Sequence, residues 1–294
     1  MPNSRGSIAP FKAIFCMILG GALLTANDSV LKWLTTGYSV GQIIFLRGIF
    51  VLIPILIVVH RAGGIKSLAT INHTDHMIRS VLMVGGTFLF VTGLRYLPLA
   101  DAISIAFAGP LFTTALAFPL LGEHVGWRRW IGVLIGFIGI LIIFRPGSSM
   151  FQWAALFPLG ASCTGALRDL LTRKMSVSET SGALLFYSTI VIILGGLITA
   201  PFGGWHSVAN GDWLLFFLAG VLIGGAHFLM IEAFRYSEVA IVAPFKYISV
   251  IWAILFGYFI FHDVPELETL VGCAVVISSG VYIIHREYKL RPNN

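Results

Sequence analysis

Charge is what this sequence has least of. Only 11% of its 294 residues are Asp, Glu, Lys or Arg, against roughly a quarter in an ordinary water-soluble domain. So little charge cannot solvate a globular surface of that size, which excludes a soluble globule. Cysteine is scarce too: Cys16, Cys163 and Cys273 each stand alone inside an apolar run and form no disulfide framework. No glycine-rich phosphate loop, His/Cys metal cluster or nucleophile motif is present. Disorder is excluded by the opposite measure, since 57% of the residues are apolar and 13% aromatic.

What the sequence does have is long apolar runs, reflected in a mean hydropathy of +0.91. Ten of them lie at 12–34, 40–60, 77–96, 100–121, 127–145, 152–172, 182–201, 212–234, 239–261 and 267–285. Most match the roughly 20 residues a helix needs to cross a bilayer. The runs lack polar alternation, so a β-barrel is excluded. The first follows Arg5 and Lys12 as a signal peptide would, but it continues past Asn27-Asp28 to Val30 without a small-residue cleavage site. It is read as a span. The sequence therefore predicts an all-α polytopic membrane protein with ten transmembrane helices.

The formal net charge of +6 points to topology and not to nucleic acid, because the basic residues stand in the short breaks between spans. With the N-terminus in the cytoplasm, 14 of the 19 Lys and Arg residues fall on the cytoplasmic side, including Arg61, Arg79, Arg128, Arg129, Arg173 and Lys174. Lys32, Arg95 and Arg145 fall opposite, and Arg47 and Lys246 lie within spans. The positive-inside rule then places both termini in the cytoplasm.

Sliding the chain against itself by 140 positions aligns Gly20 with Gly160, Gly85 with Gly225, Arg95-Tyr96 with Arg235-Tyr236, Phe107 with Tyr247, Glu123 with Asp263 and Gly132 with Gly272. Leu and Val matches carry little weight in so apolar a chain; the Arg-Tyr, acidic and glycine pairs carry the case. Each half holds five spans, an odd number, so the second half enters the membrane upside down. Inverted repeats of this kind characterise secondary transporters, whose substrate site lies near the midplane between the halves. The expected units are residues 1–147 and 148–294.

The order of short motifs resembles the drug/metabolite transporter superfamily, EamA branch. In the first half these are Arg47 early in the second span, Leu94-Arg95-Tyr96-Leu97-Pro98, Pro110, Leu121-Gly122-Glu123 and Arg145-Pro146-Gly147. In the second they are Pro244-Phe245-Lys246-Tyr247, Trp252, His262-Asp263-Val264-Pro265 and Gly272. The resemblance covers essentially the whole chain. It implies two inverted five-helix repeats and a cavity lined mainly by the first, third, fourth, sixth, eighth and ninth helices. No metal or cofactor is implied.

Ionisable residues at membrane depth are costly unless paired or wetted, so each is a functional candidate. In the first span Asn27, Asp28 and Lys32 qualify, with Asp28 and Lys32 four apart and able to pair on one helix face. Lys246, beside Tyr247 and just after Pro244, suits an anionic group on a substrate if it faces the cavity; at a helix end it snorkels instead. His227 lacks a second ligand at helical spacing and fits a hydrogen-bonded core position at least as well as a site. Phe107, Tyr187, Tyr247 and Trp252 offer ring faces, although most of the 23 phenylalanines must simply face lipid or other helices. The expected substrate site is Asn27, Asp28, Lys32, Phe107, Tyr187, His227, Lys246, Tyr247 and Trp252. Arg47, Asp101, Arg168 and Asp169 are expected to be structural or gating residues.

The reading favoured by the sequence is a secondary active transporter of the bacterial inner membrane working by alternating access, a monomer or weak dimer. Its substrate would be a small polar or amphipathic metabolite: an amino-acid derivative, a nucleoside-bearing metabolite or a vitamin-like compound. Besides this small-molecule substrate and membrane lipid, a coupling proton or counter-substrate is an expected partner. A polytopic membrane enzyme or sensor is the alternative. The nearest approach to an enzyme's polar cluster is His60, His73, Asp75 and His76, which lack ligand spacing on one helix. Topology gives the first test. A cysteine placed in the C-terminal tail should react with a membrane-impermeant maleimide only from the cytoplasmic side, and labelling from the periplasm would overturn the orientation.

Overall fold

The computed structural model describes residues 10–61, 63–70, 72–109, 111–113, 115–116, 127–144, 153–175, 179–236 and 243–290. Glu123, and with it the acidic pair of the repeat, lies outside the described residues. Among those described are ten α-helices: α1 (Pro10–Leu34), α2 (Val40–Arg61), α3 (His73–Tyr96), α4 (Leu99–Ala106), α5 (Trp127–Phe144), α6 (Leu156–Met175), α7 (Ser181–Leu197), α8 (Asp212–Tyr236), α9 (Ser249–Phe261) and α10 (Leu267–Leu290). Five of them, α1, α2, α3, α7 and α8, are individually long and apolar enough to cross a membrane. In hydrocarbon a spanning segment must satisfy its own backbone hydrogen bonds, which a helix does. Large apolar side chains such as Phe15, Leu56, Leu134 and Phe259 point outward, as a surface solvated by acyl chains allows.

Local chemistry sets the helix ends. The Thr180 hydroxyl accepts the Ala183 amide at 3.1 Å and caps α7. Beyond α9, His262 takes a left-handed conformation (φ 58°) that returns the Asp263 amide to the Gly257 carbonyl at 3.0 Å. Leu97-Pro98 closes α3, since proline cannot donate to the ladder and biases the residue before it to extended backbone.

The helix pairs reproduce the 140-residue repeat in space. The shift carries α1 onto α6, α2 onto α7, α3 onto α8 and α5 onto α10 to within a few residues at most ends. The most extensive packing joins α1 with α8, α5 with α10, α3 with α6 and α2 with α7. Under the shift α1–α8 exchanges with α3–α6, and the other two pairs map onto themselves. That is the pattern of two inverted repeats related by a pseudo-two-fold axis. All four pairs join one repeat to the other, so the halves are interleaved and not side by side.

The axis passes near a matched pair of irregularities. α4 stops at Ala106, and Phe107-Ala108 form a tight turn. At the equivalent place the chain runs as a 3-10 helix over Ala243–Ile248 before α9 begins. Phe107 and Tyr247 meet there, ring centroids 4.9 Å apart.

Glycine lets α2 lie directly on its neighbours. A Cβ on Gly196 of α7 would fall 2.7 Å from the Phe45 amide nitrogen and 2.8 Å from the Gly41 carbonyl oxygen. On Gly224 of α8 it would fall 2.1 Å from Cγ of Pro54, the proline inside α2. Backbone cannot yield as a flexible side chain does. Gly196→Ala should therefore destabilise the protein by about 1–3 kcal/mol, read as a lower Tm in detergent. Gly85→Ala, where nothing lies within 4 Å, should leave Tm unchanged or slightly raised.

Candidate functional site

A cavity of about 80 Å³ lies between the repeats, large enough for several waters. One face of α2 (Arg47, Val51, Ile55 and Val58, with Gly48 and Pro54) forms its first wall. Met83 of α3, then Leu185, Thr189 and Ile192 of α7, form the second, and Ile223, Gly224, His227, Phe228 and Glu232 of α8 close it. The third and eighth helices enter as the family resemblance implies; the second and seventh supply most of the rest. The walls are mainly apolar, with Arg47, Thr189, His227 and Glu232 as the polar groups. An apolar pocket with a few convergent polar groups is the common form of a small-molecule site.

Arg47 belongs to a buried polar cluster with α1. Asn27 is fully buried, Asp28 is 7% exposed and Arg47 6% exposed. The Asn27 Nδ2 donates to Oδ1 of Asp28 at 2.9 Å. Asp28 and Arg47 lie within electrostatic reach of each other without closing an ion pair. Lys32 does not pair with Asp28 as the four-residue spacing suggested. It sits in the last turn of α1 and reaches across to Asp263 at 2.7 Å, its ammonium 4.7 Å above the Phe261 ring. The half-wet boundary there spares Lys32 the burial that Asp28 undergoes.

The other expected residues are spread more widely. The Tyr247 ring packs on Phe107 and its hydroxyl faces Gly280 of α10, where a Cβ would overlap it. Trp252 stacks on Phe256 with centroids 6.1 Å apart. Lys246 is exposed, and together with Arg168, Arg47 and Arg79 it acts electrostatically on His227. Arg168 pairs with its neighbour Asp169 at 2.6 Å. Asp101 accepts the Thr269 hydroxyl at 2.9 Å. Of the residues expected to bind or gate, the structure brings Arg47 and His227 to the cavity, and Asn27 and Asp28 to the buried cluster around Arg47. Among the described residues no three His, Cys, Asp or Glu side chains gather as a metal site requires.

Sequence reasoning missed polar links joining the repeats. Arg79 of α3 donates to Thr172 at 2.8 Å, to the Leu184 carbonyl at 2.9 Å and to Ser188, so it ties α3 to α6 and α7. At the predicted cytoplasmic end, Glu179 accepts from Thr70 at 2.7 Å and from Asn72 at 3.0 Å, and its other oxygen lies 3.2 Å from His76 Nε2. Tyr187 lies against the His76 ring at 4.9 Å and donates to the Leu68 carbonyl at 2.9 Å. At the opposite end Tyr38 donates to Asp212 at 2.5 Å, and Gln42 bonds the His206 backbone through both its amide atoms. Arg47 carried a sequence signal as a charge within a span, and Tyr187 as an aromatic candidate, though not for the link it makes here. Glu179 carried none, because its partners lie about a hundred residues away.

The chain matches the EamA-like transporter family over residues 11–145 and again over 152–285. An S-adenosylmethionine uptake transporter of Rickettsia bellii is 30% identical over 268 residues, covering 90% of each chain. A riboflavin transporter of Vibrio cholerae is 28% identical over 289 residues, covering 95% of each. A solved crystal structure superposes with a TM-score of 0.65 at 16% identity, over 94% of this chain and 99% of that one, a likeness of fold alone.

The Glu179 link has a pH signature. Burial pushes its carboxyl up, but hydrogen bonds from Thr70 and Asn72 and the nearby His76 imidazole outweigh burial and hold it below its ordinary 4.5. A carboxyl depressed in the folded state adds stability that is fully present above its unfolded value and is lost as pH falls through the folded one. Wild-type Tm should therefore drop on acidification below about pH 4.5 more steeply than that of Glu179→Gln. Parallel profiles for the two proteins would show that the link does not contribute.

Proposed function

Because the chain belongs to the EamA-like transporter family, we propose that it carries a small metabolite across the bacterial inner membrane through the cavity between α2, α3, α7 and α8, with both termini cytoplasmic. The observation that carries this reading is the cavity itself. It lies between interleaved inverted repeats and sets an arginine and a histidine among apolar walls. Polar groups at that depth are kept where they meet cargo or water. The repeats, 1–147 and 148–294, rock about the cavity as a monomer or weak dimer, and the chain transports without catalysing a reaction.

The named cargoes of the two relatives share a chemistry: a flat fused heteroaromatic ring attached to a hydroxylated five-carbon unit. Apolar walls formed by Val51, Ile55, Met83 and Phe228 suit such a ring. Asp28, buried within electrostatic reach of the cavity residue Arg47, is the group that exchanges a coupling proton or a cationic part of the cargo or counter-substrate. The uptake named for the S-adenosylmethionine relative supports import as the direction.

Reconstitution in proteoliposomes tests this. Labelled S-adenosylmethionine or riboflavin should accumulate above the level of empty liposomes. Asp28→Asn should remain folded and monodisperse yet lose most of that uptake, with residual activity less dependent on pH than wild type. If Asp28→Asn aggregates, and removing the Arg47 charge as well restores both fold and uptake, Asp28 is architectural and its assignment here is wrong.

A further inference from the structure

Two buried polar atoms of the cluster that joins Arg47 to α1 have no hydrogen-bond partner. Arg47 lines the cavity, and its Nε donor is unsatisfied; Asn27 on α1, bonded to the Asp28 that acts electrostatically on Arg47, has an unsatisfied Oδ1 acceptor. Folded proteins rarely leave buried donors and acceptors open, and one bearing a full charge is the costliest kind. Of the other arginines that act on the cavity residue His227, Arg79 is engaged by Thr172, Leu184 and Ser188, and Arg168 by Asp169. Arg47 has no ion pair among the described residues, although Asp28 is within its electrostatic reach. An open donor with positive charge thus stands near a carboxylate and an open acceptor, with the two charges apart.

Resting on the transport reading above, we infer that this cluster receives an α-amino-acid head group of the cargo. The Arg47 guanidinium takes the carboxylate, through the paired N–H geometry that fits two carboxylate oxygens. Asp28 and the Asn27 Oδ1 take the ammonium. The four charges then alternate, and both open atoms gain partners. The assignment also separates the two cargo types named for the relatives. S-adenosylmethionine carries such a head group, whereas riboflavin has neither a carboxylate nor an amine that is charged at neutral pH.

Equilibrium binding to the full-length protein in nanodiscs tests this with three probes: S-adenosylmethionine, its decarboxylated analogue and riboflavin. Wild type should bind S-adenosylmethionine about 10- to 100-fold more tightly than the decarboxylated analogue, the range expected of a charge-assisted hydrogen bond. Arg47→Gln should weaken the first to the level of the second and leave the second nearly unchanged. Should Arg47→Gln not fold, the comparison of the two probes on wild type still decides. Equal affinity for both probes, or an equal loss for both in Arg47→Gln, overturns the head-group site while leaving transport through the cavity standing. Binding of riboflavin without S-adenosylmethionine does the same. Binding of none of the three overturns the head-group site and the cargo chemistry proposed above together.

Discussion

Between helices in a bilayer there is no water to expel, so contact distance holds them together. In this protein that constraint falls on α2. Its backbone at Gly41 and Phe45 meets Gly196 of α7, and its Pro54 meets Gly224 of α8. Because α2 is pinned to both neighbours at these points, its face from Arg47 to Val58 is fixed opposite α7 and α8, and the cavity is what remains between them. A helix held only by long, flexible side chains would slide, and the polar groups on it would lose their register.

The second constraint is the cost of charge in hydrocarbon, and the structure meets it in two ways. At the ends, where water is near, ionisable groups are matched across the repeats: Lys32 with Asp263, Tyr38 with Asp212, Glu179 with His76. Inside the helix bundle, buried Arg79 is surrounded by neutral oxygen acceptors from two other helices. Arg47 receives neither treatment. Its neighbours are Asp28, out of ion-pair range, and the cavity. The arginine least provided for by the fold is the one facing the space where cargo would sit.

Much of this was legible in the sequence because it is periodic or repeated. Continuous apolar runs gave the helices, and an ungapped shift of 140 positions located their equivalents, including the Phe107 and Tyr247 pair that meet at the axis. The side-chain partnerships were less legible. Sequence spacing offered Lys32 to Asp28, but a helix neighbour is only one competitor, and Asp263 comes from 231 positions away. Glu179 and Thr70, 109 positions apart, show the same limit. Arg47 was readable as an intramembrane charge but not as a cavity wall, because that depends on α7 and α8 lying against its face. Intramembrane lysine is ambiguous for a related reason: Lys246 lies within the 3-10 segment Ala243–Ile248 and is exposed, a placement that composition does not fix.

The interleaving of the repeats has a consequence for how the molecule comes into being. Each of the four principal helix pairs waits for a partner from the other half of the chain. Roughly 180 residues separate the end of α1 from the start of α8, which at ribosomal speed is about 10 to 40 s of synthesis. During that interval the early helices sit in the membrane with Asp28 and Arg47 already inserted and their packing surfaces bare. The nascent first half is therefore a lodger in the lipid and not a folded domain. Quality control that samples unassembled polar helices has its widest opportunity at this stage, before α8 arrives.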